Sequence, residues 1–174
     1  MVVKDVAVNR LSATDAMILY QEQASKDHGH SMRVLVLDPP DRVMPDAPQQ
    51  LRDILAGTLK HLPLFWCRLV PTPLSLHHPL WVPDPDFQVL NHFHQIGCPA
   101  PGGDRELADL VSDIASRPLD RTRPLWEMWI VEGLADGHLA VVGKMHHALA
   151  DGVATAQMFQ ECCTTEPMAP ATLP

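Results

Sequence analysis

The stretch KMHHALADGVA, Lys144 to Ala154, sets two adjacent histidines ahead of an Asp-Gly pair, with Asp151 four residues beyond His147. Three chemistries use these residue types. Two imidazoles and a carboxylate can hold a transition metal, one imidazole can serve as a general base supported by the carboxylate, and two histidines can simply pack. Spacing discriminates among them. On a regular strand successive side chains point to opposite faces, so Leu139, Val141, Gly143, Met145 and His147 share one face while Ala140, Val142, Lys144 and His146 share the other. Both rings could reach one ion only if the backbone turned between them, and the i, i+4 histidine pair of helical zinc sites is absent. The expectation is therefore no metal. A buried strand ending in a histidine, with a tight turn and a helix start behind it, is a rigid mount for one imidazole, as general-base catalysis requires. Catalysis at His147 and plain packing of the pair both stay open on these residues alone. A serine nucleophile has less support, because no GxSxG occurs.

The other candidate groups carry weaker signals. His92 and His94 stand two apart in QVLNHFHQI, which reads as a partly exposed strand face, and His77 and His78 sit in a Pro-flanked loop. Cys67, Cys98 and the vicinal pair Cys162-Cys163 show neither CxxC nor ligand spacing. They read as reduced thiols, with Cys67 and Cys98 as small buried fillers.

Elements able to position the pair follow from periodicity. LSATDAMILYQEQA starts with Ser12 three residues ahead of Asp15, an imperfect capping box, and predicts a helix from about Thr14 to Ala24. MRVLVLD (Met32 to Asp38) and LFWCRLV (Leu64 to Val70) predict strands. Leu51, Ile54, Leu55, Leu59 and Leu62 predict an amphipathic helix from about Ala47 to His61. Leu107, Leu110, Val111 and Ile114 form the stripe of another, with Asp104 as its expected N-cap and Pro118 as its limit. PLWEMWIVEGLADGHLAVVGKMHH reads as two strands joined around Gly133 to Gly137, and VATAQMFQECC as a helix starting near Asp151, which is then a cap or the residue that fixes the turn carrying His147. About four or five strands and four helices in mixed order make an α/β fold, an α+β sandwich with a mixed sheet flanked by helices.

Composition limits the function classes. The formal net charge of -8 opposes a phosphate backbone and no basic run is interleaved with aromatics, so nucleic acid is not an expected partner. No segment approaches the roughly 20 apolar residues of a membrane span, and MVVKDVAVNRL lacks a signal-peptide core. The expectation is a cytoplasmic protein that can touch a membrane surface. The 17 prolines cluster in DPPDRVMPDAP, PTPLSLHHPLWVPDPDF and TTEPMAPATLP, all read as connections. The last, residues 164–174, reads as a linker toward a further domain, leaving residues 1–163 as the domain that carries the histidine pair.

HHALADG, His146 to Gly152, matches the HHxxxDG motif of the coenzyme A-dependent acyltransferase superfamily, which has a chloramphenicol acetyltransferase-like fold and includes peptide-synthetase condensation domains. With RPLDRTRPLWEMWIVEGLADG, PLWVPDPDF, PAPGG and LSATDAMIL around it, the chain resembles the N-terminal half of the bacterial wax ester synthase/diacylglycerol acyltransferase family, triacylglycerol synthases in particular. That resemblance implies His147 as the general base that deprotonates an acceptor hydroxyl, with His146, Asp151 and Gly152 completing the motif. It implies that Asp151 holds the loop through a salt bridge to an arginine, with Arg33, Arg68, Arg121 and Arg123 all open, and that Gly152 allows the close turn. It implies acyl-CoA as co-substrate, diacylglycerol or a long-chain alcohol as acceptor, and no cofactor. It also implies a C-terminal half forming the other wall of the tunnel, and contact with the inner membrane or lipid-droplet surface. The alternatives are a half-domain that binds lipid or a partner without catalysis and needs a C-terminal half, and a condensation-domain-like acyltransferase.

Overall fold

The computed structural model describes residues 9–24, 28–38, 46–59 and 62–149. Asp151, Gly152, Cys162, Cys163, the expected helix after the motif and the Pro-rich tail lie outside the described residues. In chain order the elements are β1 (Asn9–Arg10), α1 (Ala13–Ala24), β2 (His30–Leu37), α2 (Ala47–Leu59), β3 (Cys67–Val70), β4 (Leu80–Pro83), β5 (Phe93–Gly97), α3 (Asp104–Ser116), β6 (Trp126–Glu132) and β7 (Leu139–His146), with short 3-10 turns between several of them. Among the described residues no helix is long and apolar enough to cross a membrane.

Two sheets result. A four-stranded mixed sheet has the order β2-β7-β6-β5, antiparallel except for the parallel β5/β6 pair, and a three-stranded antiparallel sheet has the order β1-β4-β3. The four-stranded sheet is covered on both faces, which is why β6 and β7 read as nearly continuous apolar runs. On one face Trp126, Met128, Val141 and Met145 pack with Ala16 and Leu19 of α1, Leu55, Ala56 and Leu59 of α2, Phe65 of the turn before β3, and Cys67 and Trp81 of the small sheet. On the other, Val131, Ala140 and Val142 pack against Leu107 and Ile114 of α3. Each pair of alternating sets in the sequence thus finds its own core, as strand pleating demands.

Four expectations are corrected. The segment expected as a strand from Leu64 begins as a 3-10 turn, Pro63–Trp66, because Pro63 opens it with a fixed φ, and the strand starts only at Cys67. The Pro-rich stretch after Val70 holds a strand, β4, which pairs with both β1 and β3; its Pro83 lies at the strand end, where a missing N–H does no harm. His92 is not on a partly exposed strand face. It closes a 3-10 turn, is buried, donates from Nδ1 to Trp126 O at 2.8 Å and stacks on the Trp126 indole at 4.5 Å. Only His94 keeps partial exposure, and it lies against Trp129. Finally, the N-cap of α3 is Gly103 with Asp104 first in the helix, since Glu106 reaches back to accept the Gly103 N–H at 2.9 Å.

Trp126 and Lys144 tie the layers together. Trp126 is fully buried and its Nε1–H donates to Phe65 O at 2.9 Å, joining β6 to the turn before β3. Lys144, 1% exposed, sends its Nζ under α3 to donate to Ile114 O at 2.9 Å and to Arg117 O, with Glu127 Oε2 at 3.9 Å. A cation placed against the last carbonyls of a helix satisfies orphan acceptors and opposes the negative end of the dipole. Burial lowers the Lys144 pKa from its ordinary value while Glu127 acts to keep the charge. Replacing Lys144 by Met leaves two buried carbonyls without their donor, so urea unfolding of Lys144→Met is expected to show a loss on the order of 2 kcal/mol.

Candidate active site

β7 delivers the histidine pair to the point where the sheet ends. His30 of β2 is the ladder partner of His146, and the chain turns immediately after it: His147 N–H donates to Gly29 O at 2.7 Å and Leu149 N–H to His146 O at 2.9 Å. The two rings finish in different surroundings. The His146 side chain is 2% exposed and the His147 side chain 42%.

His146 is fully engaged within the chain. Its Nδ1 accepts the Ala148 N–H at 3.0 Å, so the ring proton sits on Nε2, which donates to Glu22 Oε1 at 2.9 Å. Burial lowers its pKa below the ordinary value despite the opposing pull of Glu22, and the imidazole is neutral at pH 7. Glu22, whose side chain is 6% exposed, sits at the centre of this arrangement. Burial alone would raise its pKa, but the Gly29 N–H, His146 and the Arg121 guanidinium, all in contact with its oxygens, hold the carboxyl below its ordinary range. Gly29 is required for space as well. A Cβ there would stand 2.6 Å from Ile18 Cγ2 and 3.1 Å from Glu22 Oε1.

His30 flanks the pair, edge-on to His146 at 6.4 Å and stacked on His28 at 5.1 Å, with Nδ1 3.3 Å from Ala115 O. Burial first, then the nearby Lys144 charge, lowers its pKa to about 4. Glu22, His28 and His30 bring three potential ligand atoms within 4.8 Å of one another. The Glu22 oxygens already serve Gly29, His146 and Arg121, so the group forms a hydrogen-bonded hub, and a cation would have to compete with Arg121.

His147 presents the reverse case. Its Nδ1 is buried without a hydrogen-bond partner among the described residues, while the exposure of the ring lies elsewhere. Among the described residues the nearest acidic group is Asp15, with Oδ1 at 3.9 Å. Of the four arginines expected as partners of Asp151, Arg121 binds Glu22, Arg123 lies 3.6 Å from Asp120, Arg33 donates to Met32 O, and the Arg68 Nε is buried without a partner among the described residues. The sequence does not single out Glu22 or His30, and it offers Arg121 only as a candidate partner of Asp151. A signal existed for one pair: Asp15 and Glu22 are seven residues apart in α1, two helical turns, and so lie on one face.

Two cavities open beside this hub. One of about 220 Å³ is bounded by Glu22, His28, His30, Arg121, Leu125 and His146. A larger one of about 390 Å³ shares Arg121 and Leu125 and is otherwise lined by Leu19, Leu69, Pro71 and Pro79, with Tyr20, Thr72, His77 and Thr122 as its other polar residues.

The profile of the wax ester synthase/diacylglycerol acyltransferase catalytic domain matches residues 11–173. A Mycobacterium tuberculosis protein described as a diacylglycerol O-acyltransferase is 42% identical over 152 residues, 87% of this chain and 32% of its own length. A second from that organism, with the same description, is 43% identical over 171 residues, 97% of this chain and 34% of its own. The solved wax ester synthase/diacylglycerol acyltransferase of Marinobacter aquaeolei superposes with a TM-score of 0.75 at 33% identity, over 87% of this chain and 37% of that one. A condensation domain of the calcium-dependent antibiotic synthetase superposes at 0.71 with 17% identity, which shows the shared fold. The chain spans about a third of the length of these relatives.

Two measurements probe the hub. Gly29→Ala forces Ile18 and Glu22 away from β2 and is expected to lower stability by roughly 1–3 kcal/mol in urea unfolding. Acid should loosen the fold through His30. Because its folded pKa lies below the unfolded value of 6.5, the unfolded chain binds the proton first, and stability falls as pH drops from about 6.5 toward about 4. Lowered pKa values at His146 and Glu22 act in the same direction. The His30 share is on the order of 2 kcal/mol after allowance for solvent screening of a half-buried ring, and a His30→Gln variant should show a correspondingly flatter stability profile between pH 7 and pH 4.

Proposed function

The chain belongs to the wax ester synthase/diacylglycerol acyltransferase family, and from that premise we propose that it supplies the general base of an O-acyltransferase that moves a long acyl chain from acyl-CoA to diacylglycerol or a long-chain alcohol. The observation that carries this reading is the asymmetry of the histidine pair. His146 has both nitrogens committed inside the chain, whereas His147 emerges half-exposed from the end of a buried strand, held by its own N–H on Gly29 O.

The chemistry needs one base. An alcohol is a poor nucleophile at neutral pH. His147 takes the hydroxyl proton as the oxygen attacks the thioester carbonyl; the tetrahedral adduct collapses with loss of the coenzyme A thiolate, and the imidazolium returns the proton to that sulfur. A positioned base supplies roughly 10²- to 10⁴-fold, and orientation of the two substrates contributes further. His146 acts at a distance: it fixes the turn that aims His147. Asp151 and Gly152 are assigned the loop geometry beyond it. No cofactor enters the scheme, and the apolar cavity beside Arg121 is suited to part of an acyl or acceptor chain.

The proposal includes a second half of the kind the longer relatives carry, forming the opposite wall of the substrate tunnel, and work at a lipid surface. The outer edge of β2 supports the first point: it is unpaired among the described residues, and Val34 and Val36 on it are 42% and 56% exposed. The test is acyl-CoA-dependent formation of triacylglycerol and wax ester by this chain joined to the C-terminal half of a relative. His147→Ala is expected to reduce kcat by at least about 100-fold, and retention of full kcat in that variant refutes the assignment of the base.

A further inference from the structure

A histidine can act as a base through Nε2 only while its neutral ring carries the proton on Nδ1, and something must hold that proton. For His146 the tautomer is fixed the other way round, by the Ala148 N–H on Nδ1 and Glu22 on Nε2. For His147 the corresponding nitrogen is buried and unpartnered among the described residues, an arrangement that is costly unless a partner closes on it. Among the described residues the acidic group at hand is Asp15, its Oδ1 3.9 Å from that Nδ1.

The Asp15 carboxylate is already oriented. Ser12 caps α1, with its Oγ accepting the Asp15 N–H at 3.1 Å and donating to Asp15 Oδ2 at 2.6 Å. Glutamate at this third helical position would reach back to the N–H of the cap; aspartate is too short and bonds the hydroxyl instead. Its second oxygen, Oδ1, is the one on the His147 side. Seven residues on, Glu22 meets His146 from the same face of α1. One helix thus brings one carboxylate to each of two adjacent histidines.

We propose that Asp15 is a positioning residue that accepts the Nδ1–H of His147, keeping Nε2 unprotonated and aimed at the acceptor hydroxyl. Closing the 3.9 Å separation to hydrogen-bond distance requires Oδ1 and Nδ1 to approach by about 1 Å. Asp15 does not touch the reacting atoms. Its catalytic consequence rests on the acyltransfer reading above, but the tautomer it enforces does not.

The experiment therefore has two independent arms. In the first, the 174-residue chain is labelled with ¹⁵N-histidine and long-range ¹H–¹⁵N correlations are recorded at a pH where the ring is neutral. Wild type is expected to show His147 mainly as the Nδ1–H tautomer, the minority form of free imidazole. Asp15→Ala should revert it to mainly Nε2–H, with Asp15→Asn, which keeps the Ser12 contact and a weaker acceptor, in between. Backbone amide spectra report whether each variant is folded; should Asp15→Ala fail to fold, the shift in Asp15→Asn decides. A wild-type Nε2–H ring, or a tautomer that responds to Asp151→Asn and not to the Asp15 variants, overturns the proposal. In the second arm, acyl transfer by the chain joined to its second half is expected to lose roughly 10- to 100-fold in kcat in Asp15→Ala with KM little changed, and to be partly restored in Asp15→Asn. Loss confined to KM overturns the positioning role. Absence of acyl transfer in wild type counts against the proposed function, while the first arm still judges Asp15.

Discussion

A buried carboxylate must be neutralised where it sits, and in this protein that requirement falls on Glu22. Three segments answer it: the Gly29 N–H at the start of β2, the His146 Nε2–H at the end of β7, and the Arg121 guanidinium in the loop before β6. Removing any one leaves a charge in a place with little water, which costs far more than the contact contributes. Helix α1, the edge of the four-stranded sheet and that loop are therefore locked in one mutual position. The lock also determines which member of the histidine pair remains available. With His146 consumed by the hub, strand alternation leaves His147 as the ring that meets solvent.

The sheet makes this possible by being buried on both faces. β6 and β7 can be nearly continuous apolar runs only because α3 covers one side and α1, α2 and the small sheet cover the other. Lys144 shows how tightly the arrangement is drawn. It lies on the face of β7 turned toward α3, and its charge is tolerated there because the end of α3 offers carbonyls that need a donor. A stiff strand so enclosed ends at a defined point, and the turn after it inherits that definition. A base held in this way needs little reorganisation when a substrate arrives, the physical content of preorganisation at an active site.

Much of this was legible beforehand. β2, α2, α3, β6 and β7 follow from periodicity and from their Gly and Pro boundaries, and the Ser12–Asp15 cap is where spacing puts it. β4 was hidden because four residues among prolines carry too short a pattern to separate from a connection, and its strand character comes from pairing with β1 and β3 on either side. His92 was misread because alternation was extended through a segment that is actually a 3-10 turn, so its ring points inward onto Trp126. For β4 and His92 the deciding interaction is with residues distant in sequence.

Within the pair, the sequence by itself determined that adjacent histidines on a strand cannot share a face, since side-chain alternation is a local property of extended backbone. It also determined the family, through HHALADG and the motifs around it. Only the tertiary structure decided what each histidine meets. The partner of His146 is 124 residues away in sequence, and the nearest carboxylate to His147 among the described residues is 132 residues away, both on one face of α1. Such a juxtaposition exists only once the helix has packed across the sheet edge at Gly29, where the absence of a side chain lets it come close enough.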